Sequence, residues 1–382
     1  MTFVPLVSTQ EGMAMSSKFP IRPAGLLLVG VLGIPGVAEA HVKWFCGPID
    51  GSAPPLPVGQ VVTLLFLELF AIFVGLVMLG AMLDTVATRV AGKLAVDPER
   101  AGVASDVIVR AGVAVYALCL WGNLAVVMWA DPSSGSLLTP DLYGAGPALG
   151  YVQLATAVVV LIPRLSIFAA AALVGLYLMG VAKFELFYMI DYLFFLGIAA
   201  HLALGSPIGS RLAISRYRVP ILIGSLSLSL MWTAVEKFLF PQWTISILVS
   251  HPGITAGQAF STVATIAGFV EFSLAFYLLA GREILGRVGA ILLGIVFVAA
   301  MPEFGMLDIV GHIPVILILV IALVTGETPL QIMCRGSDSG MLISGWKVGR
   351  AYVATLAVLM LLYYGLHALS VWTLAKSGAG IF

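Results

Sequence analysis

MLDIVGHIPVILILVIALVT, residues 306–325, is a run of twenty residues with no lysine or arginine, one acid and one histidine. A helix of about twenty apolar residues crosses the ~30 Å hydrocarbon core of a bilayer, so this run reads as a transmembrane helix. Its two polar side chains, Asp308 and His312, stand four apart and share one helix face. The rest of the chain repeats the pattern. Of 382 residues, 60% are hydrophobic and 10% charged, with a mean hydropathy of +1.08. That composition specifies a polytopic membrane protein in a lipid bilayer, with no nucleic-acid partner. Apolar stretches of spanning length run over 58–83, 107–130, 148–163, 165–182, 186–204, 219–240, 258–280, 285–301, 306–325 and 350–374. The fold class is therefore all-α, a membrane helical bundle of about ten transmembrane helices.

The N-terminus has a different grammar. Lys18 and Arg22 precede an apolar run, Ala24–Val37, and then Ala38-Glu39-Ala40. This is the order of a secretory signal peptide, 1–40, and cleavage after Ala40 makes His41 the first mature residue. An N-terminal histidine offers its α-amine and an imidazole nitrogen to one metal ion, a pair that suits copper(II). Residues 41–57, with Cys46-Gly47-Pro48 and Pro54-Pro55-Leu56-Pro57, read as an irregular strap on the outer face. Sidedness follows from the cations. Arg89, Lys93 and Arg100, then Arg164, then Arg211, Arg216 and Arg218, then Arg282 and Arg287, then Arg335, Lys347 and Arg350 all fall at one end of the helices. The opposite loops, 131–147 and 241–257, contain no Lys or Arg. The positive-inside rule then places both mature termini in the periplasm of a bacterial inner membrane. Trp129, Trp243 and Trp372 fall near outer helix ends, where indoles anchor at the interface or pack. Cys46, Cys119 and Cys334 sit outside, within a helix and inside, so no disulfide is expected, and the absence of CxxC argues against a thiol redox enzyme. No GxGxxG, Walker loop or Ser-His-Asp arrangement is present.

Two segments of the chain resemble each other. Leu120-Trp121 in one helix corresponds to Met231-Trp232 in another, and Phe184-Glu185-Leu186-Phe187-Tyr188-Met189-Ile190-Asp191 to Pro302-Glu303-Phe304-Gly305-Met306-Leu307-Asp308. Each then runs through an apolar helix to Gly205-Ser206-Pro207 or Gly326-Glu327-Thr328-Pro329. The reading is two tandem, parallel four-helix units, 107–205 and 206–327. They are flanked by a first helix and inner loop, 58–106, and by an inner loop and final helix, 328–382. The second unit, with Trp232-Thr233-Ala234-Val235-Glu236-Lys237 before Phe238 and Pro241, resembles the DoxX-like family (DoxX/DoxD) of four-helix membrane proteins. His41-Val42-Lys43-Trp44-Phe45 is similar to the mature start of exported members. The resemblance implies association with membrane oxidoreduction, quinone among the cofactors, and other membrane redox subunits as partners. The first unit has Ala125-Val126 where the second has Glu236-Lys237, so it is the degenerate copy and the site belongs to the second.

Ionisable groups inside spans cost about 2.5–3.5 kcal/mol each on insertion scales and mark functional positions. They are Glu68, Asp191, His201, Glu236, Lys237, Glu271, Asp308, His312 and His367. A carboxylate and an imidazole four apart hold a metal ion, relay a proton, or close a helix start with a hydrogen bond. His41, His251, Glu303, Asp308 and His312 all fall on the outer side and form a candidate metal set. Imidazoles and carboxylates without thiolate suit copper(II), zinc or iron better than copper(I). Glu271, Glu236 and Lys237 are candidate catalytic groups. Lys237 reads as snorkelling to the interface or pairing with Glu271, while Glu271 reads as a proton carrier or a packing carboxylate. His201 and His367 read as packing residues. Three functions stay open: a redox-associated protein with an outer-face metal, a non-catalytic accessory subunit, and a transporter of small solutes or metal ions.

Overall fold

The computed structural model describes residues 53–91, 98–130, 134–145, 148–281, 283–326, 328–330 and 341–377. The expected signal peptide, His41 and most of the strap lie outside the described residues, as do Cys46 and Cys334. A four-residue turn of helix, α1 (Val58–Val61), leads into α2 (Leu64–Ala91) and α3 (Pro98–Ala130). A small antiparallel hairpin follows, β1 (Ser134–Ser136) with β2 (Tyr143–Ala145), in the register Gly135 opposite Gly144. Then come α4 (Ala148–Val160), α5 (Ser166–Met189), α6 (Leu193–Leu204) and α7 (Arg218–Leu239). The chain closes with α8 (Pro241–Ser250), α9 (Phe260–Ala280), α10 (Glu283–Phe304), α11 (Met306–Thr325) and α12 (Met341–Ser377).

Apart from the hairpin, the described chain is helical, and eight of its helical stretches are long and apolar enough to cross a membrane. Pro163–Leu204 is one of the eight, a continuous apolar stretch. It folds back on itself as α5 and α6, with Ser166 Oγ donating to the Leu202 carbonyl across the pair (3.2 Å). The reversal is made where Glu185 leaves helical geometry (φ 69°, ψ 157°) and the 3₁₀ turn Ile190–Tyr192 follows. The corresponding reversal between α10 and α11 uses a single residue, Gly305, at φ 76° and ψ −154°. Only glycine enters that region at little cost.

Packing follows a regular order. α3 packs on α4, α4 on α5 and α5 on α6; α7 packs on α9, α9 on α10 and α10 on α11. The two sets then join reciprocally, α6 against α7 and α11 against α3. The flanking helices α2 and α12 pair with each other. α2 lies on α9 and α10, and α12 on α7 and α5. Helices approach closely where one of them offers glycine. A Cβ on Gly268 of α9 would stand 3.2 Å from the Ala234 carbonyl of α7 and within the Phe238 ring's envelope.

Helix ends are capped from neighbouring helices at the arginine-bearing face. Arg110 of α3 donates to the Val160 carbonyl at the C-terminus of α4 (3.1 Å), and Arg287 of α10 to the Leu323 carbonyl near the end of α11 (2.9 Å). Asp84 of α2 accepts from the backbone N–H groups of Ile284 and Leu285 at the start of α10 (3.2 and 3.3 Å). Cations at helix C-termini and an acid at an N-terminus each satisfy orphan backbone groups and oppose the helix dipole. At the opposite, distal face, Leu56 donates its backbone N–H to the Leu239 carbonyl (2.9 Å), and the Tyr364 hydroxyl donates to the Leu56 carbonyl (2.6 Å). The end of the strap is thereby tied to the end of α7.

Candidate functional site

α7 is the axis of the site. Every residue from Ser229 to Phe240 is buried, because α6, α9, α11 and α12 all touch this helix and α8 follows it. Glu236 and Lys237 are neighbours, about 100° apart around the helix, and so face different partners. Glu236 accepts a hydrogen bond from the Tyr363 hydroxyl of α12 (2.7 Å). Lys237 places Nζ 3.3 Å from Oε2 of Glu271 on α9, with 1% and 6% of the two side chains exposed. The snorkelling reading of Lys237 is therefore corrected. Its ammonium turns into the bundle because Glu271 supplies the counter-charge there, which a run to the interface would leave buried and uncompensated.

Asp308 and His312 stand on α11. Their side chains are 1% and 0% exposed. His312 Nδ1 stands 3.1 Å from Oδ1 of Asp308 but is aligned on the Asp308 backbone carbonyl, 2.9 Å away. The imidazole stacks on Phe297 of α10, with centroids 5.0 Å apart and planes at 25°. Lys237 with Glu271, and His312 with Asp308, are thus two buried pairs carried by three helices, α7, α9 and α11. Among the described residues no donor is hydrogen-bonded to Oε1 of Glu271 or to the carboxylate oxygens of Asp308. Glu271 already has the Lys237 ammonium on its other oxygen; a buried Asp308 with neither oxygen hydrogen-bonded is the one suited to hold a proton or a cation, since an uncompensated charge there is costly.

The other expected metal-set residues are distributed as follows. His251, between α8 and α9, packs edge-on to Phe304 at the end of α10 (5.0 Å), one residue from Glu303 and four from Asp308 in sequence. The Glu303 side chain and His41 lie outside the described residues. Among the described residues no three His, Cys, Asp or Glu side chains gather as a metal-holding group. An ion at Asp308 and His312 would take its further ligands from elsewhere.

His367 and His201 sit in contrasting places. His367 of α12 packs with Phe187, Phe240 and, through Phe187, with Tyr363 and Trp232, ring against ring at 4.7–6.0 Å. His201 of α6 places Nε2 3.0 Å from Asp106 of α3, and Arg218 of α7 binds the same carboxylate at 3.0 Å. This group ties α3, α6 and α7 together at the arginine-bearing face. Asp106 escapes a reading of spans because it stands one residue before the apolar stretch that starts at 107. Glu68 is exposed on α2. Trp243 is buried and stacked on Phe240 at 4.3 Å, so it packs rather than anchors, while Trp372 is exposed.

A further polar group lies between α3 and α4. Asp141, in the hairpin loop, accepts hydrogen bonds from Thr139 and from the Tyr192 hydroxyl (2.7 Å). Burial in the loop strips water from this carboxyl, and the nearby Asp191 adds negative field, so its pKa rises from 3.8 to about 6 despite the hydrogen bonds. Nothing in the sequence marks Asp141, because Tyr192, its partner from outside the loop, stands 51 residues away. No family model, curated protein or solved structure matches this chain.

Proposed function

We propose that this protein is a DoxX-like, redox-associated membrane protein of two tandem four-helix units, working at the distal face of the second. The tandem reading is supported by the matching packing order of α3–α6 and of α7 with α9–α11, and by the reciprocal contacts of α6 with α7 and α11 with α3. On that reading α4 and α6 count as short spans, which brings the total to ten. One observation carries the functional proposal: α7, α9 and α11 bury four ionisable side chains as two close pairs, and carboxylate oxygens of Glu271 and Asp308 there lack hydrogen-bond donors among the described residues. Buried acids and histidines inside a membrane handle protons and cations. Glu271, paired with Lys237, would hold and pass on the proton that accompanies quinone chemistry, and Glu236, on the neighbouring face of α7 with Tyr363, is the other candidate proton group. Asp308 and His312 contribute ligands to a copper-type ion, with zinc and iron as the other fits. The His41 amine and imidazole complete that set, and His251 and Glu303 flank it. Leu56 is fixed at the end of α7, and fifteen extended residues reach roughly 50 Å, so His41 has the length to arrive there. The expected setting is a bacterial inner membrane, with the signal removed.

A second reading is a non-catalytic accessory subunit beside a larger membrane complex. It is favoured by the partners that Glu236 and Lys237 find inside the bundle, in Tyr363 and Glu271. The metal content of purified protein from copper- and zinc-supplied cells, with its N-terminus sequenced, separates the two. About one tightly held ion per chain in a protein starting at His41, lost in His312→Ala with insertion intact, is the expected result. A protein starting at His41 with no retained ion establishes the accessory reading instead.

A further inference from the structure

We propose that the turn joining α6 to α7, residues 205–217, binds an anionic phospholipid, with Arg211 and Arg216 on its phosphate and Ile208, Leu212 and Ile214 under its acyl chains. The proposal goes beyond the redox reading and does not depend on it. α7 has 22 residues, about 33 Å at 1.5 Å per residue, which matches the ~30 Å hydrocarbon core. Its far end, Leu239, is at the distal face, so Arg218 at its start marks the opposite boundary, and the turn before it lies at headgroup level. A segment at that level meets charged headgroups and apolar chains together. The turn offers surface to both. Ile208, Leu212 and Ile214 are 71%, 54% and 51% exposed, and Arg211 and Arg216 are exposed among them.

Hydrogen bonds fix the conformation of this turn. Ser206 Oγ accepts from the Gly209 N–H (3.0 Å) while donating to the Ala203 carbonyl (2.7 Å), and the Ser210 N–H donates to the Ser206 carbonyl (2.8 Å). Gly209 lies so close to the end of α6 that a Cβ there would overlap the Ala203 carbonyl. Ser215 then donates its N–H to the Leu212 carbonyl (2.9 Å) and its hydroxyl to the Ser210 carbonyl (3.3 Å). That closure sets positions 210 and 215 side by side, so Arg211 and Arg216, each the next residue, leave the backbone from neighbouring points. Neither guanidinium has an acid partner among the described residues. Arg216 rests 4.7 Å over the Tyr217 ring, while Arg218, the third arginine, is occupied by Asp106. No Asp or Glu occurs between Asp191 and Glu236. Guanidinium forks match phosphate oxygens bidentately. Two of them without a counter-ion, beside exposed apolar side chains at headgroup level, complement a phosphate that carries acyl chains.

The test uses the full chain purified in detergent, with native mass spectrometry counting retained lipid after addition of phosphatidylglycerol or of phosphatidylcholine with the same acyl chains. Phosphatidylglycerol should be retained preferentially. Arg211→Gln with Arg216→Gln should lower that preference about 25-fold, from the roughly fivefold that each basic residue contributes at an anionic surface. Arg350→Gln, at an exposed arginine of α12 on the same face, should leave it unchanged. A check free of arginine variants places a nitroxide at I214C, on a background without the three native cysteines, in phosphatidylglycerol nanodiscs. Oxygen dissolved in the bilayer should reach it better than a water-soluble nickel chelate. Equal retention of the two lipids, a preference that survives the double variant, the same loss in Arg350→Gln, or a nitroxide open to the chelate would each overturn the proposal. Release of the lipid by inorganic phosphate alone would overturn it too, since the site would then read a free anion rather than a lipid.

Discussion

Lys237 and Glu271 show how a buried pair is held. Each charge is tolerated only because the other is 3.3 Å away, and removing one partner of such a pair typically costs about 3–5 kcal/mol. Lys237→Met should therefore lower the thermal midpoint in detergent sharply. Lys237→Met combined with Glu271→Leu should recover most of the loss, since an apolar pair of similar volume leaves no orphan charge. A double variant no more stable than the single one would mean that the pair is not what the bundle needs. Asp141 makes a prediction with a defined sign. Its pKa is raised in the fold, from 3.8 to about 6, so the folded state favours the protonated form. The stability this gives is fully present below the ordinary carboxylate pKa and is lost as pH rises through about 6. Thermal midpoints of wild type and Asp141→Asn, followed across that interval, should diverge with rising pH in favour of the variant. Parallel curves would remove Asp141 from the account.

At the level of elements, the turn between α10 and α11 is one residue long, and it sets the depth of Asp308. Gly305 sits at φ 76° and ψ −154°, where a side chain costs of order 1–3 kcal/mol. Gly305→Ala should lower stability by that order and loosen the start of α11. Amide exchange at Ile309, whose N–H bonds to the Gly305 carbonyl at 3.1 Å, would report it. Unchanged protection there would show that the turn has other freedom. The reversal between α5 and α6, at Glu185 and Ile190–Tyr192, takes a longer path. The hairpin Ser134–Ala145 was not legible in advance. Three-residue strands are too short to show an alternating pattern, and the loop is held by Gln153, which donates to the Ser136 carbonyl at 2.9 Å.

For the whole molecule, the ring of helices and its cations fix an expected sidedness. Ser250 is exposed at the distal face and Ser210 at the arginine-bearing face. Cysteine variants at these positions should differ in intact spheroplasts, S250C reacting with an impermeant maleimide and S210C only after the membrane is opened. The reverse pattern would invert the topology and place the Asp308–His312 end inside. The group Asp106, His201 and Arg218 joins α3, α6 and α7 at the opposite end. Both ends of the bundle are therefore cross-linked by polar contacts between helices distant in sequence.

The helical membrane class, the approximate spans and the separation of cations from the distal loops follow from the sequence alone, because hydropathy and charge are properties of each residue independent of its neighbours in space. The i, i+4 spacing of Asp308 and His312 was legible for the same reason, since helix geometry alone makes them adjacent. Tertiary structure decided what the buried charges meet. That Lys237 turns inward to Glu271, that Glu236 finds Tyr363 and that Asp106 gathers His201 and Arg218 depend on contacts across 34 to 127 positions of chain. No local pattern encodes such pairings. They are set by which helix faces pack together, and so by the whole arrangement of α7 among its neighbours.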